Sequence, residues 1–378
     1  MFNPFDTEGG NYNIVVAGEP GSGKSFLTQF YIFSILGMGG KVRLIDAGRS
    51  YEKFNRLLEG EILEFKKDQP ICINPFSTIL GEDITESLGL LKPLLGSMAR
   101  PNTPLPDEEK SYLEQAITAV WGQEGQETTI SSIVHWLKSH KNRTAKNLAH
   151  LMFSYTKEGM YGKYFEGQST VNLENDFVLL ELDDLKAKKD LRRIVLLVMM
   201  YQIHQDMYLS DRSRLKSCVI DEAWDLLDAN ERGTAEFIEA GYRTARKHRG
   251  NFITITQGIN DFYKNAMAEA SFNNSSNSFI LRHSAETLEN LKKERRLCMD
   301  SIDDRLYRSI KVTSEYSEFV IKSEFGTSLH RLILDPFSRI LFSSKPEEFD
   351  KVKHLLEKGV SLNQAVEQVA RWRFGDEI

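Results

Sequence analysis

The octapeptide GEPGSGKS, residues 18–25, follows the apolar run YNIVVA and opens the helical pattern KSFLTQFYIFSILG. It matches G-x-x-x-x-G-K-[ST] at Gly18, Gly23, Lys24 and Ser25, and a strand before it with a helix after it is the context this motif requires. Glycines let the backbone curl until its N–H groups converge on an anion, and the helix N-terminus adds the positive end of its dipole. The segment Gly18, Glu19, Pro20, Gly21, Ser22, Gly23, Lys24, Ser25, with Phe26 behind it, therefore reads as a cradle for the phosphates of a nucleotide. Lys24 is expected at the β- and γ-phosphate oxygens, and the Ser25 hydroxyl on Mg2+, a hard cation that takes oxygen donors. The structural alternative is a Gly-rich turn with a solvated lysine.

The segments around the motif alternate. KVRLIDAG (41–48) reads as a second strand, SYEKFNRLLEG as a short helix and EILEF as a third strand, a pattern that implies a parallel sheet joined by crossovers. From Asp83 to Gly167 helical patterns follow one another, separated by RPNTPLPD and GQEGQETT. Alternation resumes with FVLLELDDL (177–185), a long helix, LKSCVIDEAW, the helix RGTAEFIEAGYRTARKH and NFITITQ (251–257). NSFILRH follows, then helices across 284–308, SEFVIKS, SLHRLIL and SRILFSS as hairpin strands, and two closing helices (346–372). The expected organisation is an α/β P-loop domain of residues 1–82 and 168–345 with a mostly parallel sheet. An all-α insertion covers 83–167, and C-terminal helices cover 346–378.

A P-loop alone serves kinases, switches and motors alike, so a second acidic motif decides more. In SCVIDEAW the run Cys218, Val219, Ile220 reads as a buried strand with Asp221 and Glu222 at its C-terminal edge, where open α/β sheets place their ligands. Asp221 is the candidate to hold Mg2+ through water, and Glu222 the candidate base that polarises an attacking water. Such a pair suits hydrolysis better than phosphoryl transfer to a small acceptor. Two solvated carboxylates starting a helix are the alternative. Gln257 ends NFITITQ at the same sheet edge, placed to hydrogen-bond the γ-phosphate or the lytic water, or simply to cap the strand.

In YRTARKHRG, the residues Arg243, Arg246, Lys247 and Arg249 either complement a helix C-terminus or supply an arginine finger to a neighbouring subunit's site. Arg246 is the first candidate and Arg249 the second, and the finger reading requires an oligomer. Asp46 ends the second strand and is expected close to the P-loop in the sheet, orienting water or metal or else capping the turn.

Composition narrows the remaining classes. The chain has 378 residues, 41% hydrophobic and 27% charged, ordinary values for a folded, water-soluble protein. A net charge of −6 argues against a surface built mainly for nucleic acid. Cys72, Cys218 and Cys298 are far apart with no CxxC or Cys/His cluster, which speaks against a zinc site or disulfide framework. The longest apolar stretch, IVLLVMMY, is too short to cross a bilayer, and the N-terminus lacks a signal-peptide pattern.

YNIVVAGEPGSGKS, VRLIDAGRSYEKF, INPF, VIDEAWDLL, ARKHRG and ITITQ, in that order, resemble the VirB4/TraC family of type IV secretion ATPases, in its conjugative branch. The resemblance covers nearly the whole chain, and because the family's members carry an additional N-terminal domain, it matches their C-terminal ATPase half. It implies a RecA-like P-loop NTPase fold of the HerA/FtsK type, with Gly18–Ser25 and Asp221-Glu222 as Walker A and B motifs. Arg246-Lys247 falls on the family's Arg-Lys element and Gln257 on its Thr-Gln strand end. The implied activity is Mg2+-dependent ATP hydrolysis powering pilus biogenesis and substrate or DNA transfer. The implied setting is a homo-oligomer, a hexamer, at the cytoplasmic face of the bacterial inner membrane, with the coupling, channel and pilus-assembly proteins as partners. DNA contact is compatible with it but not required. A DNA-translocating motor of the HerA or coupling-protein kind is the competing reading, and a platform using nucleotide only as a conformational switch is a third.

Overall fold

The computed structural model describes residues 5, 10–66, 71–79, 84–209, 213–221, 242, 245, 248–264, 266–297, 299–313, 315–343 and 345–375. Short runs rich in β-branched and other apolar residues suit strands, and most of those here are buried on both faces. They form β1 (Ile14–Ala17), β2 (Lys41–Asp46), β3 (Glu61–Glu64), β4 (Phe177–Glu181), β5 (Lys216–Asp221), β6 (Gly250–Thr256) and β7 (Asn277–Ile280), all mutually parallel. β8 (Tyr316–Ser323) and β9 (Gly326–Ile333) continue the sheet as an antiparallel hairpin. Among the described residues the order is β3-β4-β2-β5-β6-β1-β7-β8-β9. Chain order and sheet order therefore differ, and the P-loop strand β1 lies inside the sheet between β6 and β7.

The helices are α1 (Lys24–Gly37), α2 (Glu52–Leu57), α3 (Thr85–Ala99), α4 (Asp107–Glu124), α5 (Ile130–Ser139), α6 (Arg143–Leu151), α7 (Lys189–Leu209), α8 (Ala266–Asn273), α9 (Ala285–Lys293), α10 (Ser301–Ser309), α11 (Pro336–Leu341), α12 (Pro346–Glu357) and α13 (Leu362–Phe374). Because side chains alternate across a strand, the sheet divides the interior into two apolar cores. Val15, Ala17, Ile45, Leu180 and Ile220 pack with Ile194, Val198 and Tyr201 of α7. Leu113 and Ile117 of α4, Ile133 of α5 and Leu148 of α6 belong to that same core, so the helices between β3 and β4 in the chain share it. On the other face Ile14, Val16, Leu44, Leu179, Val219 and Ile253 meet Leu27, Ile32 and Ile35 of α1, Ile340 of α11 and Val366 of α13. The result is a sheet between two helical layers.

One expected strand is a helix. SRILFSS lies largely in α11, whose start is set by the residues just before it: the Asp335 side chain accepts a hydrogen bond from the Ser338 N–H at 2.9 Å, and Pro336 occupies the first turn. An acidic N-cap followed by proline fixes a helix start, and here it overrides the strand-like run that follows. The helix expected at RGTAEFIEAGYRTARKH lies outside the described residues except at Tyr242, Ala245 and His248, and so do Glu222 and Arg246.

Candidate functional site

The cradle is built by close approach and left-handed backbone. A Cβ at Gly18 would stand 2.6 Å from Ser22 Oγ and 2.7 Å from Leu281 Cβ, so only glycine fits. Gly21 and Gly23 have φ of +77° and +98°, which L side chains rarely adopt. The space beside Gly21 is open, with no heavy atom within 4 Å of a Cβ built there. Gly23 caps α1 without a side chain, and the first turn of the helix holds no acidic residue. The N–H groups of that turn are therefore presented to an anion rather than to a side-chain cap. Lys24 lies over the loop, its Nζ donating to the Gly18 carbonyl at 2.5 Å. Ser25 is half-buried on the first turn of α1, Pro20 is exposed and Ser22 is buried.

Glu19 and Phe26 brace the cradle. The Glu19 N–H donates to the Arg282 carbonyl at 3.1 Å, and its carboxylate accepts from the Ser284 N–H at 2.7 Å and from the Thr287 hydroxyl at 3.2 Å. Ser284 is the N-cap of α9, so a carboxylate of the loop meets the positive end of that helix. The Ser284 N–H, more than any other group, holds the Glu19 carboxyl below its usual range. Phe26 turns its ring edge-on to Phe342, with centroids 6.3 Å apart, and so fastens α1 to the end of α11.

Sheet order brings the acidic motif to the same edge. Ala17 pairs with Thr256 and Asp221 with Ile255, so the P-loop, Gln257 and Asp221 leave the C-terminal ends of three adjacent strands. Two strand spacings separate β1 from β5, about 10 Å. Asp221 is buried and accepts a hydrogen bond from the Tyr51 phenol at 2.6 Å. Gln257 is exposed directly after β6. Glu222, next in the chain after Asp221, lies outside the described residues.

Asp46 is not close to the P-loop in the sheet. β2 is separated from β1 by β5 and β6, about 14 Å at the usual strand spacing, because strands consecutive in the chain are distributed across the sheet. Its carboxylate shapes the loop that follows: Oδ1 accepts from the Ala47 and Gly48 N–H groups at 2.8 and 3.1 Å, and Oδ2 from the Ser50 N–H at 2.7 Å. Arg249 lies at the opposite edge, preceding β6 with a φ of +54°, and donates to the Ser213 carbonyl at 3.1 Å. The length of β6, about 23 Å at 3.3 Å per residue, separates it from the P-loop of its own chain.

Three residues at this edge are not singled out by the motifs. Tyr51 holds Asp221. Glu181 ends β4 beside Asp46, where burial first and the Asp46 charge second push its carboxyl up to about 7. His283 is buried after β7, its Nδ1 2.9 Å from the Leu281 carbonyl, and its Nε2 has no hydrogen-bond partner among the described residues. Burial lowers its affinity for a proton. The sequence signals were a carboxylate closing an apolar run in FVLLE and a lone histidine after NSFILR, neither specific by itself.

The donor set suits a hard cation held jointly with a nucleotide. Ser25 and Asp221 offer oxygen ligands, and among the described residues no group of three or more His, Cys, Asp or Glu could hold a metal alone. Magnesium typically keeps a few protein oxygens and takes its remaining ligands from phosphate and water. Among the described residues no helix is long and apolar enough to cross a membrane.

Comparison with known proteins gives the family and the fold. The family model described as the TraG P-loop domain matches residues 6–373. The chain is 33% identical to Protein TraC of Escherichia coli (strain K12) over 97% of its own length, and it spans 43% of that protein. Among solved structures, VirB4 of Thermoanaerobacter pseudethanolicus is similar over 92% of this chain and 94% of its own, with a TM-score of 0.70 at 20% identity. The plasmid coupling protein TrwB, in complex with the non-hydrolysable ATP analogue ADPNP, is similar over 85% of each chain, with a TM-score of 0.56 at 13% identity. At these identities the structural likenesses establish the fold, a RecA-like α/β P-loop NTPase. From the motif, the sheet order and the match along nearly the full length, the chain belongs to the TraG P-loop domain family, within the VirB4/TraC group.

Proposed function

We propose that this chain hydrolyses ATP with Mg2+ between the P-loop and the Asp221-Glu222 pair, and that turnover drives a conjugative type IV secretion system. The observation that carries the reading is geometric. An α1 N-terminus without a side-chain cap, open at Gly21, shares one sheet edge with buried Asp221, and the end of β6 lies between them. Membership of the VirB4/TraC group supports the secretion role.

In this reading N–H groups of the loop and of the first turn of α1, together with the Lys24 ammonium, bind the β- and γ-phosphates, with Lys24 exchanging the Gly18 carbonyl for phosphate oxygen. Ser25 and Asp221 would hold Mg2+, Asp221 through water. Bound there, Mg2+ neutralises charge that develops on the phosphates. Glu222 polarises the attacking water, and Gln257 hydrogen-bonds that water or the γ-phosphate. Arg246 first, and Arg249 second, act at a neighbour's site in a ring, which we take to be a hexamer. The far-edge position of Arg249 favours a role in trans over one at its own site. We place the assembly at the cytoplasmic face of the inner membrane with the other secretion components.

Nucleotide binding and turnover test the reading separately. Lys24→Ala is expected to abolish nucleotide binding. Glu222→Gln is expected to retain it while turnover falls at least about a hundredfold, the usual loss for a positioned base. Wild-type hydrolysis in both variants would refute the assignment. Turnover stimulated by DNA, with steep salt dependence of DNA binding, would move the function to DNA translocation.

A further inference from the structure

Tyr51 is fully buried, at 0% exposure, yet its phenol is polar and placed at the nucleotide edge of the sheet. It donates a 2.6 Å hydrogen bond to Asp221 Oδ2, and Asp221 is itself only 6% exposed. A short O–H···O bond to a carboxylate oxygen is among the stronger polar contacts in an interior. Thr28 of α1, one turn beyond Ser25, lies near the same phenol, though its hydroxyl makes no hydrogen bond to it among the described residues. One side chain thus binds β5 at Asp221 and lies near α1, the helix that carries Ser25.

The position of Tyr51 is itself enforced. It is the N-cap residue of α2, entered from the loop whose Ala47, Gly48 and Ser50 N–H groups all donate to Asp46. Asp46 is also buried, so this turn has little freedom. Asp46 lies too far along the sheet from β1 to share in the cradle, but it stands one loop away from a residue that does reach its partner.

We propose that Tyr51 is a positioning residue for the metal site: its phenol fixes the orientation of the Asp221 carboxylate at the C-terminal edge of the sheet, and Asp46 acts by holding the Tyr51 loop. The inference rests on the proposed function, because it concerns how tightly the nucleotide complex holds its cation. Groups that orient a metal ligand from behind change metal affinity by about 10–100-fold when removed. Loss of packing alone would instead lower stability and leave the folded protein's metal affinity intact.

The test uses Mn2+ as the probe, titrated by electron paramagnetic resonance into the full chain saturated with ADP. Tyr51→Phe is expected to weaken Mn2+ binding about tenfold, while ADP binding in EDTA stays within about twofold of wild type. Asp46→Asn is expected to weaken Mn2+ binding in wild type and to add nothing in Tyr51→Phe. Equal Mn2+ affinity in Tyr51→Phe and wild type overturns the inference and leaves the proposed function standing. Failure of the wild-type ADP complex to bind Mn2+ removes the proposed function as well. Should Tyr51→Phe not fold, Tyr51→3-fluorotyrosine keeps the phenol: its 19F line in the ADP complex is expected to broaden on adding Mn2+. A line that Mn2+ leaves unchanged overturns the inference.

Discussion

At the residue scale the site depends on atoms that are absent. Gly18 has no Cβ because Ser22 and Leu281 already occupy that volume, and Gly21 faces open space where an anion can approach the backbone. Glu181 shows the opposite pressure, a carboxyl buried next to the Asp46 charge and raised to about 7. A carboxyl with a folded pKa above its unfolded value favours folding while it is protonated, and that contribution is lost as pH rises from about 4.5 to about 7. The account predicts that wild type loses about 2–3 kcal/mol relative to Glu181→Gln across this window. Chemical denaturation at pH 4.5 and pH 8 checks it, and parallel stabilities for the two proteins at both pH values would contradict it. The P-loop is legible in the sequence because all its parts are local. Tyr51, Glu181 and His283 are not, since each gains its place from a strand or helix distant in the chain.

Elements show how local signals compete. SRILFSS has the composition of a strand, but Asp335 and Pro336 start a helix before it, and Ile340 and Leu341 then pack on the α1 face of the sheet. Asp46 carries the complementary lesson: the strand-ending carboxylate is legible, whereas its distance from β1 follows from a sheet order that periodicity does not encode. β2 is also tied to the layer above it. Arg43 is buried on that strand, and its guanidinium meets Asp206 of α7 at 2.9 Å and the Leu173 and Asn175 carbonyls at 2.6 and 2.9 Å. Removing Arg43 leaves Asp206 with Lys41 as its remaining cation and takes the guanidinium donors from two carbonyls, so Arg43→Ala is expected to lower stability by about 3 kcal/mol. Urea unfolding would measure it, and an unchanged midpoint would show that Lys41, 3.6 Å from the same carboxylate, suffices alone.

For the whole molecule, the central feature is a sheet that gathers one edge for chemistry and leaves Arg249 at the other. The parallel α/β class is legible from alternating segments, and the order of motifs along the chain suffices to recognise the family. The strand order is not legible, and it is that order which sets the end of β6 between the P-loop and Asp221. In the proposed ring, Arg249 would act at a neighbour's site, because the length of β6 holds it away from the P-loop of its own chain. The central claim is that one nucleotide and one cation occupy the space between Ser25 and Asp221. Anomalous diffraction from the chain crystallised with ADP, beryllium fluoride and Mn2+ tests it most directly. The account predicts a single manganese peak between the Ser25 hydroxyl and the Asp221 carboxylate, with the β-phosphate in the Gly18–Ser25 loop; a peak elsewhere, or a nucleotide bound away from that loop, would contradict it.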